Sequence, residues 1–198
     1  MGKQTPSQTV GPFFAYGLTS EQYGYRYRSI GTGVIANEAT EGERIRIIGR
    51  VLDGEGRPIP DALVEVWQAN AHGRYNHPAD GRRDNRLDPD FKGFGRCGTG
   101  TRAGACFVFE TVKPGPIGDG QAPHVNVIVM ARGMLSHAFT RIYFSDEEEA
   151  NAKDPVLARA DPARRGTLIA ERAETASGTV YCLDIRLQGE GETVFFDM

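Results

Sequence analysis

Histidine is scarce in this chain, so each of its four copies, His72, His77, His124 and His137, is worth testing as a ligand or base. The stretch His72-Gly73-Arg74-Tyr75-Asn76-His77 puts two imidazoles and a phenol within six residues. Such a set could bind a transition metal, although the spacing alone fits a polar surface loop better. Pro123-His124-Val125-Asn126-Val127 reads differently. Side chains two apart on a strand leave the same face, so H-x-H would be a two-ligand clip, but this chain has H-x-N. An amide is a poor ligand for iron or zinc beside an imidazole, so a hydrogen-bonded polar pair in a buried strand is the favoured reading. The same face continues through Ile128 and Met130 to Arg132. A guanidinium offers a planar fork that suits a carboxylate, and an ordinary surface ion pair would explain Arg132 equally well. There is no G-x-S-x-G elbow, no P-loop and no G-x-G-x-x-G, and no pair of carboxylates stands out as an acid/base couple.

These residues need elements to hold them. Ile45, Ile47 and Val51 alternate with Arg44, Arg46 and Arg50, which predicts a strand with one core face. Asp53-Gly54-Glu55-Gly56 is a turn. Further strands are predicted over 62–68, 105–112, 124–131, 139–144 and 180–187, with a last one over 193–196. The 124–131 stretch is almost wholly apolar and is expected at the centre of a sheet. Ser145-Asp146-Glu147-Glu148 reads as a capping box opening a short helix that Asp154-Pro155 stops. Shorter helical turns are expected from Thr19-Ser20-Glu21 and from Asp161-Pro162. Residues 1–40 are rich in Gly, Tyr and polar residues with weak periodicity, and are read as an arm that wraps over the body or a partner. The expected architecture is all-β: a two-layer β-sandwich with long loops, an N-terminal arm and one or two short helices.

Composition narrows the class. A length of 198 residues suits one domain, here residues 1–198. A net charge of −3, without a basic stripe, argues against nucleic acid or an anionic membrane as partner. No apolar run is long enough to cross a bilayer, and Met1 to Pro6 carry no signal-type stretch, so a cytoplasmic location is expected. Cys97, Cys106 and Cys182 are odd in number and widely spaced, as free buried or half-buried thiols would be. The 25 glycines and 11 prolines fall between short alternating runs, which makes them loop punctuation and not a disordered tract.

Several ordered stretches together carry a resemblance. They are Thr5-Pro6-Ser7-Gln8-Thr9-Val10-Gly11-Pro12-Phe13-Phe14, Val66-Trp67-Gln68-Ala69-Asn70-Ala71-His72-Gly73-Arg74-Tyr75, Asp88-Pro89-Asp90-Phe91 and Thr111-Val112-Lys113-Pro114-Gly115-Pro116. Gly95-Arg96, Pro123-His124-Val125-Asn126, Ala150-Asn151-Ala152-Lys153-Asp154-Pro155-Val156-Leu157 and Gln188-Gly189-Glu190-Gly191-Glu192-Thr193-Val194-Phe195-Phe196-Asp197 complete them. From about Thr5 to the C-terminus the chain resembles the intradiol aromatic-ring dioxygenases, and within them the α-type chains of the two-chain members that open protocatechuate.

That resemblance implies a β-sandwich enzyme subunit in a hetero-oligomer with a β-type chain. Family members hold Fe(III) with two tyrosines and two histidines and use O2 to open a catechol between its hydroxylated carbons. For protocatechuate the product is 3-carboxy-cis,cis-muconate, in the β-ketoadipate pathway of aromatic catabolism. Carried over residue by residue, the ligand positions fall on Tyr75, Ile117, His124 and Asn126. Two of these cannot serve, so no metal is expected in this chain, and Fe(III) would belong to the partner β chain. Thr9, Gly11, Pro12 and Phe13 would lie against the substrate, and Arg132 would face its carboxylate. Residues 1–40 would reach the partner chain. Two other readings compete. A transthyretin-like binding module would lack the loop from Trp67 to Tyr75. A self-sufficient metalloenzyme would use His72, His77, Tyr75 and His124.

Overall fold

The computed structural model describes Gly11 and residues 13–197. Among these described residues two short α-helices, α1 (Phe14–Leu18) and α2 (Glu148–Lys153), accompany nine strands. These are β1 (Arg44–Leu52), β2 (Leu63–Gln68), β3 (Phe94–Gly98), β4 (Cys106–Val112), β5 (His124–Met130), β6 (Ala138–Phe144), β7 (Ile169–Thr175), β8 (Gly178–Cys182) and β9 (Ile185–Arg186). Hydrogen bonding runs in the order β3-β2-β5-β6-β7-β8-β1-β4, with β9 also on β1. Only a short parallel register, Tyr143 opposite Ile169 and Phe144 opposite Ala170, joins β6 to β7, so the path folds into two layers.

Alternation explains the packing. Val64, Val66, Val125, Val127 and Val129 come from one layer, and Ile45, Ile47, Phe107, Phe109 and Tyr181 from the other. All belong to one buried cluster. Each such side chain contributes roughly 1.5–3 kcal/mol when taken out of water, which is why the two inner faces meet. β5 lies between β2 and β6, as its apolar run predicts. Its even-numbered residues, His124 and Asn126 among them, turn to the outer side. A smaller buried cluster of Ala122, Tyr143, Leu157, Ala160 and Leu168 covers the His124 end.

The arm follows the open sides of the outermost strands. Arg96 of β3 donates its backbone N–H to Thr32 O at 3.0 Å, and Glu110 of β4 donates to Gly33 O at 2.8 Å. Ile35 returns a bond to Glu110 O, also at 2.8 Å. Residues 32–35 thus stitch the two layers together.

Several expectations are corrected. The strand expected over 180–187 is two strands, β8 and β9, in one register on β1. Between them the chain crosses Gly49, where an added Cβ would sit 1.8 Å from Leu183 O. The Arg50 N–H bonds the Asp184 carboxylate at 2.9 Å instead of a backbone carbonyl. Residues 193–196 form no strand; Thr193 and Phe196 make single backbone bonds to Arg186 and Phe139. The capping box is absent, because Ser145 Oγ accepts from Arg172 N at 2.9 Å and Glu147 takes the cap position without a side-chain bond. The stop at Asp154 holds. β3 and β7 were not expected: Gly95, Cys97 and Gly98 dilute the first, and the second alternates polar residues along an exposed strand. The turn at Thr19 is a 3-10 turn over Ser20–Tyr23, preceded by α1. The three thiols are free, but Cys182 is exposed. Among the described residues, no helix is long and apolar enough to cross a membrane.

Candidate functional site

Cross-strand register assembles the first cluster. On the outer side of the β3-β2-β5-β6 layer, Phe94, Trp67, Asn126 and Arg141 stand opposite one another in successive strands. His124 stands opposite Tyr143, one step along. The loop after β2 folds back so that Tyr75 stacks on Trp67, with ring centroids 5.7 Å apart and planes 14° from parallel. Gly73 makes this return possible. Its φ is +75°, and a Cβ there would meet Pro116 O at 1.9 Å. That contact brings the 113–117 segment, ending in buried Ile117, against the loop.

The sequence thus brings Tyr75, His124 and Asn126 together, with the Ile117 segment beside them. Asn126 Nδ2 donates to Tyr75 Oη at 2.9 Å and to Trp67 O at 3.2 Å. His124 Nδ1 donates to Ala122 O at 2.8 Å, while its Nε2 is buried without a partner. Asp154, wholly buried, accepts from Ala122 N at 2.8 Å and from Tyr143 Oη at 3.2 Å, which fixes the approach to that imidazole. Burial pulls His124 down to about 4, and the Arg141 guanidinium pushes the same way. Burial raises Tyr75 above the ordinary phenol, although the Asn126 amide and the Arg141 charge oppose it. Arg141 itself reaches Gln121 Oε1 at 2.9 Å, and its Nε is buried without a partner.

This donor set does not fit ferric iron. Asn126 offers an amide whose N–H is donated to the Tyr75 oxygen, and Ile117 offers only hydrocarbon. The positive charge of Arg141 also acts on both Tyr75 and His124, which opposes a trication between them. The alternative set fails as well. His72 turns away to Glu41, Nε2 to Oε2 at 2.9 Å, and His77 meets the edge of Trp67 at 6.5 Å. Among the described residues no group of three or more His, Cys, Asp or Glu could hold a metal ion.

The second cluster lies at the far end of β5. Arg132 is eight residues beyond His124, about 26 Å along an extended strand. Its Nε meets Asp61 Oδ2 at 3.1 Å. Gly11 and Phe13 head an aromatic series toward the same end. Phe13 lies 6.1 Å from Tyr16, and Tyr16 lies 4.3 Å from Tyr23. Tyr23 abuts Gly100, where an added Cβ would come 2.6 Å from Tyr23 Oη and 2.5 Å from Pro60 O, next to Asp61. Thr9 and Pro12 lie outside the described residues. An open groove of about 530 Å³ adjoins Arg132, with Met134, His137, Phe139 and Phe195 on its walls. The sequence reading missed Asp61 and Arg141. Strand parity could have placed Arg141 beside Asn126, but nothing in Pro60-Asp61-Ala62 marks the acid.

The family profile described as Dioxygenase matches residues 26–189. The protocatechuate 3,4-dioxygenase alpha chain of Burkholderia cepacia is 52% identical over 197 residues, covering 99% of this chain and 98% of that one. The beta chain from the same organism is 37% identical over 169 residues, covering 80% and 70%. Among solved structures, the dioxygenase domain of a carbohydrate-binding fusion from Streptomyces sp. SirexAA-E matches with a TM-score of 0.61. Its identity is 22%, over 94% of this chain and 99% of that domain.

Proposed function

Because this chain belongs to the intradiol ring-cleavage dioxygenases, we propose that it is the alpha subunit of a protocatechuate 3,4-dioxygenase that has no iron site of its own. Enzymes of this family use Fe(III), and the relatives include both alpha and beta chains. In this reading the β-type partner holds the iron, and the pair converts protocatechuate and O2 to 3-carboxy-cis,cis-muconate at their interface. The observation that carries it is the pairing of Asn126 with the neutral Tyr75 phenol at two of the family's ligand positions.

The chain's own residues shape the pocket. Arg132, 61% exposed at its side chain, presents a fork to the substrate carboxylate. Gly11 and Phe13 form a wall against the ring. Phe13, Tyr27 and Ile30 are 79%, 79% and 90% exposed, an apolar surface on the arm that a partner chain would cover. Arg132 also sits far from this chain's own Tyr75–Asn126 pair, as a residue serving another chain's site would.

Expression alone and with a β-type chain tests the reading. The expected result is a colourless, iron-free lone chain and a coloured pair that opens protocatechuate. One iron and turnover in the lone chain would overturn it.

A further inference from the structure

We propose that Asp61 is a positioning residue for substrate recognition: it holds the Arg132 guanidinium by one edge so that the other edge is aimed at the substrate carboxylate. This rests on the reading of Arg132 given above and adds the residue through which Arg132 is set.

The two partners differ sharply in surroundings. The Arg132 side chain is 61% exposed, while that of Asp61 is 12% exposed. Asp61 stands on a backbone that cannot easily move. Thr99 is fully buried, donates its hydroxyl to Ile59 O at 2.6 Å and accepts from Ala62 N at 3.1 Å. The Thr99 N–H returns to Ala62 O at 3.0 Å. The turn carrying Asp61 is therefore pinned on both sides of the residue.

The carboxylate is poorly provided for. Oδ2 pairs with Arg132 at 3.1 Å from Nε, and among the described residues Oδ1 is buried without a hydrogen-bond partner. Burying a carboxylate oxygen unpaired is unfavourable, and a contact to a largely exposed guanidinium returns little. Fold stability therefore gives no reason for an acid here. Orientation does. Arginine has five N–H donors, and a carboxylate at the Nε edge leaves the terminal nitrogens on the opposite edge for a second one. A free arginine at this exposure would have to give up its rotamer freedom each time substrate bound; one already held at Nε has less to lose. Tyr23 of the arm lies close enough for the Asp61 charge to act on it, so the anchor faces the same boundary that brings Gly11 and Phe13 forward.

The charge of Asp61 works against its geometry, and this makes the proposal testable by direction. A second carboxylate near the substrate repels it, so losing Asp61 tightens binding if charge dominates and weakens it if orientation dominates. The test uses the complete α–β enzyme with Asp61→Ala, Asp61→Asn, Arg132→Ala and the Asp61→Ala/Arg132→Ala pair. Protocatechuate is compared with catechol, which lacks the carboxylate. Asp61→Ala is expected to raise KM for protocatechuate on the order of tenfold, with kcat and both catechol constants nearly unchanged. Asp61→Asn, which keeps an oxygen beside Nε without the charge, should recover most of that loss. In the Arg132→Ala background, Asp61→Ala should add nothing. An unchanged or lower KM in Asp61→Ala, beside a raised KM in Arg132→Ala, overturns the positioning role and leaves Arg132 standing. No selective effect in Arg132→Ala overturns the carboxylate clamp itself. An additive double variant overturns the route through Arg132. If Asp61→Ala fails to assemble, Asp61→Asn with and without Arg132→Ala decides: a partial rise in KM that vanishes in the Arg132→Ala background is expected, and a rise of equal size in both backgrounds overturns the proposal.

Discussion

Asn126 donates its side-chain amide to the phenol oxygen of Tyr75 at 2.9 Å, closing with a hydrogen bond the space between two positions that the resemblance assigns to metal ligands. The pair is neutral and satisfied, and it is stacked under Trp67 by a contact of about 1 kcal/mol. Rebuilding a metal site here means undoing a stable arrangement as well as adding ligands.

Ile117→Tyr with Asn126→His restores the missing donor types but leaves the Arg141 cation across from position 126. The double variant is therefore expected to hold little iron. Adding Arg141→Met, which removes the charge at similar length, should raise iron content and produce the visible band of tyrosinate-bound ferric iron. Metal analysis and absorption check both steps, and equal iron in the double and triple variants would show that the guanidinium is no obstacle.

His124 makes folding sensitive to acid. An unfolded histidine takes up its proton near 6.5, whereas the folded one refuses it until about 4. The unfolded state binds the extra proton between those values, so stability is complete above pH 6.5 and falls as pH drops toward 4. The loss reaches about 3 kcal/mol at its limit. Urea unfolding across this range should show His124→Phe with a flatter acid limb. An unchanged slope would place the titration elsewhere.

Lys113 donates to Asp146 at 2.8 Å and pairs with Glu147 at 2.6 Å, and Tyr181 donates to the same Asp146 carboxylate at 2.9 Å. Partial burial disfavours the Lys113 charge, but the two acids overcome it and hold the ammonium above its ordinary range. Lys113→Met should cost about 2 kcal/mol, because two half-covered acids then face each other without a cation. Adding Asp146→Asn should recover part of the loss, and the comparison of unfolding midpoints measures it.

Two glycines separate steric need from conformational freedom. Gly49→Ala forces a Cβ to within 1.8 Å of the Leu183 carbonyl, where only backbone can yield. About 3 kcal/mol or outright failure to fold is expected. Gly17→Ala, inside α1 with nothing within 4 Å of the new Cβ, should stabilise by about 0.5 kcal/mol. Thermal unfolding ranks them, and a tolerated Gly49→Ala would mean that β8 and β9 can slide on β1.

Much of the frame was legible because burial writes a period of two into β1 and β2, while β4, β5 and β6 are dense in apolar, β-branched and aromatic residues. β3 and β7 escaped because glycines or exposed polar side chains remove that alternation. The broken β8–β9 pair escaped because the cause, Gly49, lies on a different strand. The Tyr75, Ile117, His124 and Asn126 positions were assigned by resemblance from ordered motifs, and parity put His124, Asn126 and Arg132 on one face. Neither could give the 2.9 Å bond from Asn126 to Tyr75, since it depends on a loop folding back across Trp67. Asp61 was invisible for a related reason: its importance lies in a partner more than 70 positions away, Arg132.

The stitch at residues 32–35 bears on how the chain survives before assembly. A strand with an open row of amides and carbonyls is a template on which another molecule's backbone can grow. β3 and β4 would both be such templates without that short stretch. The arm proposed to meet a partner chain is therefore also the guard of two sheet edges, so its sequence answers to two demands at once.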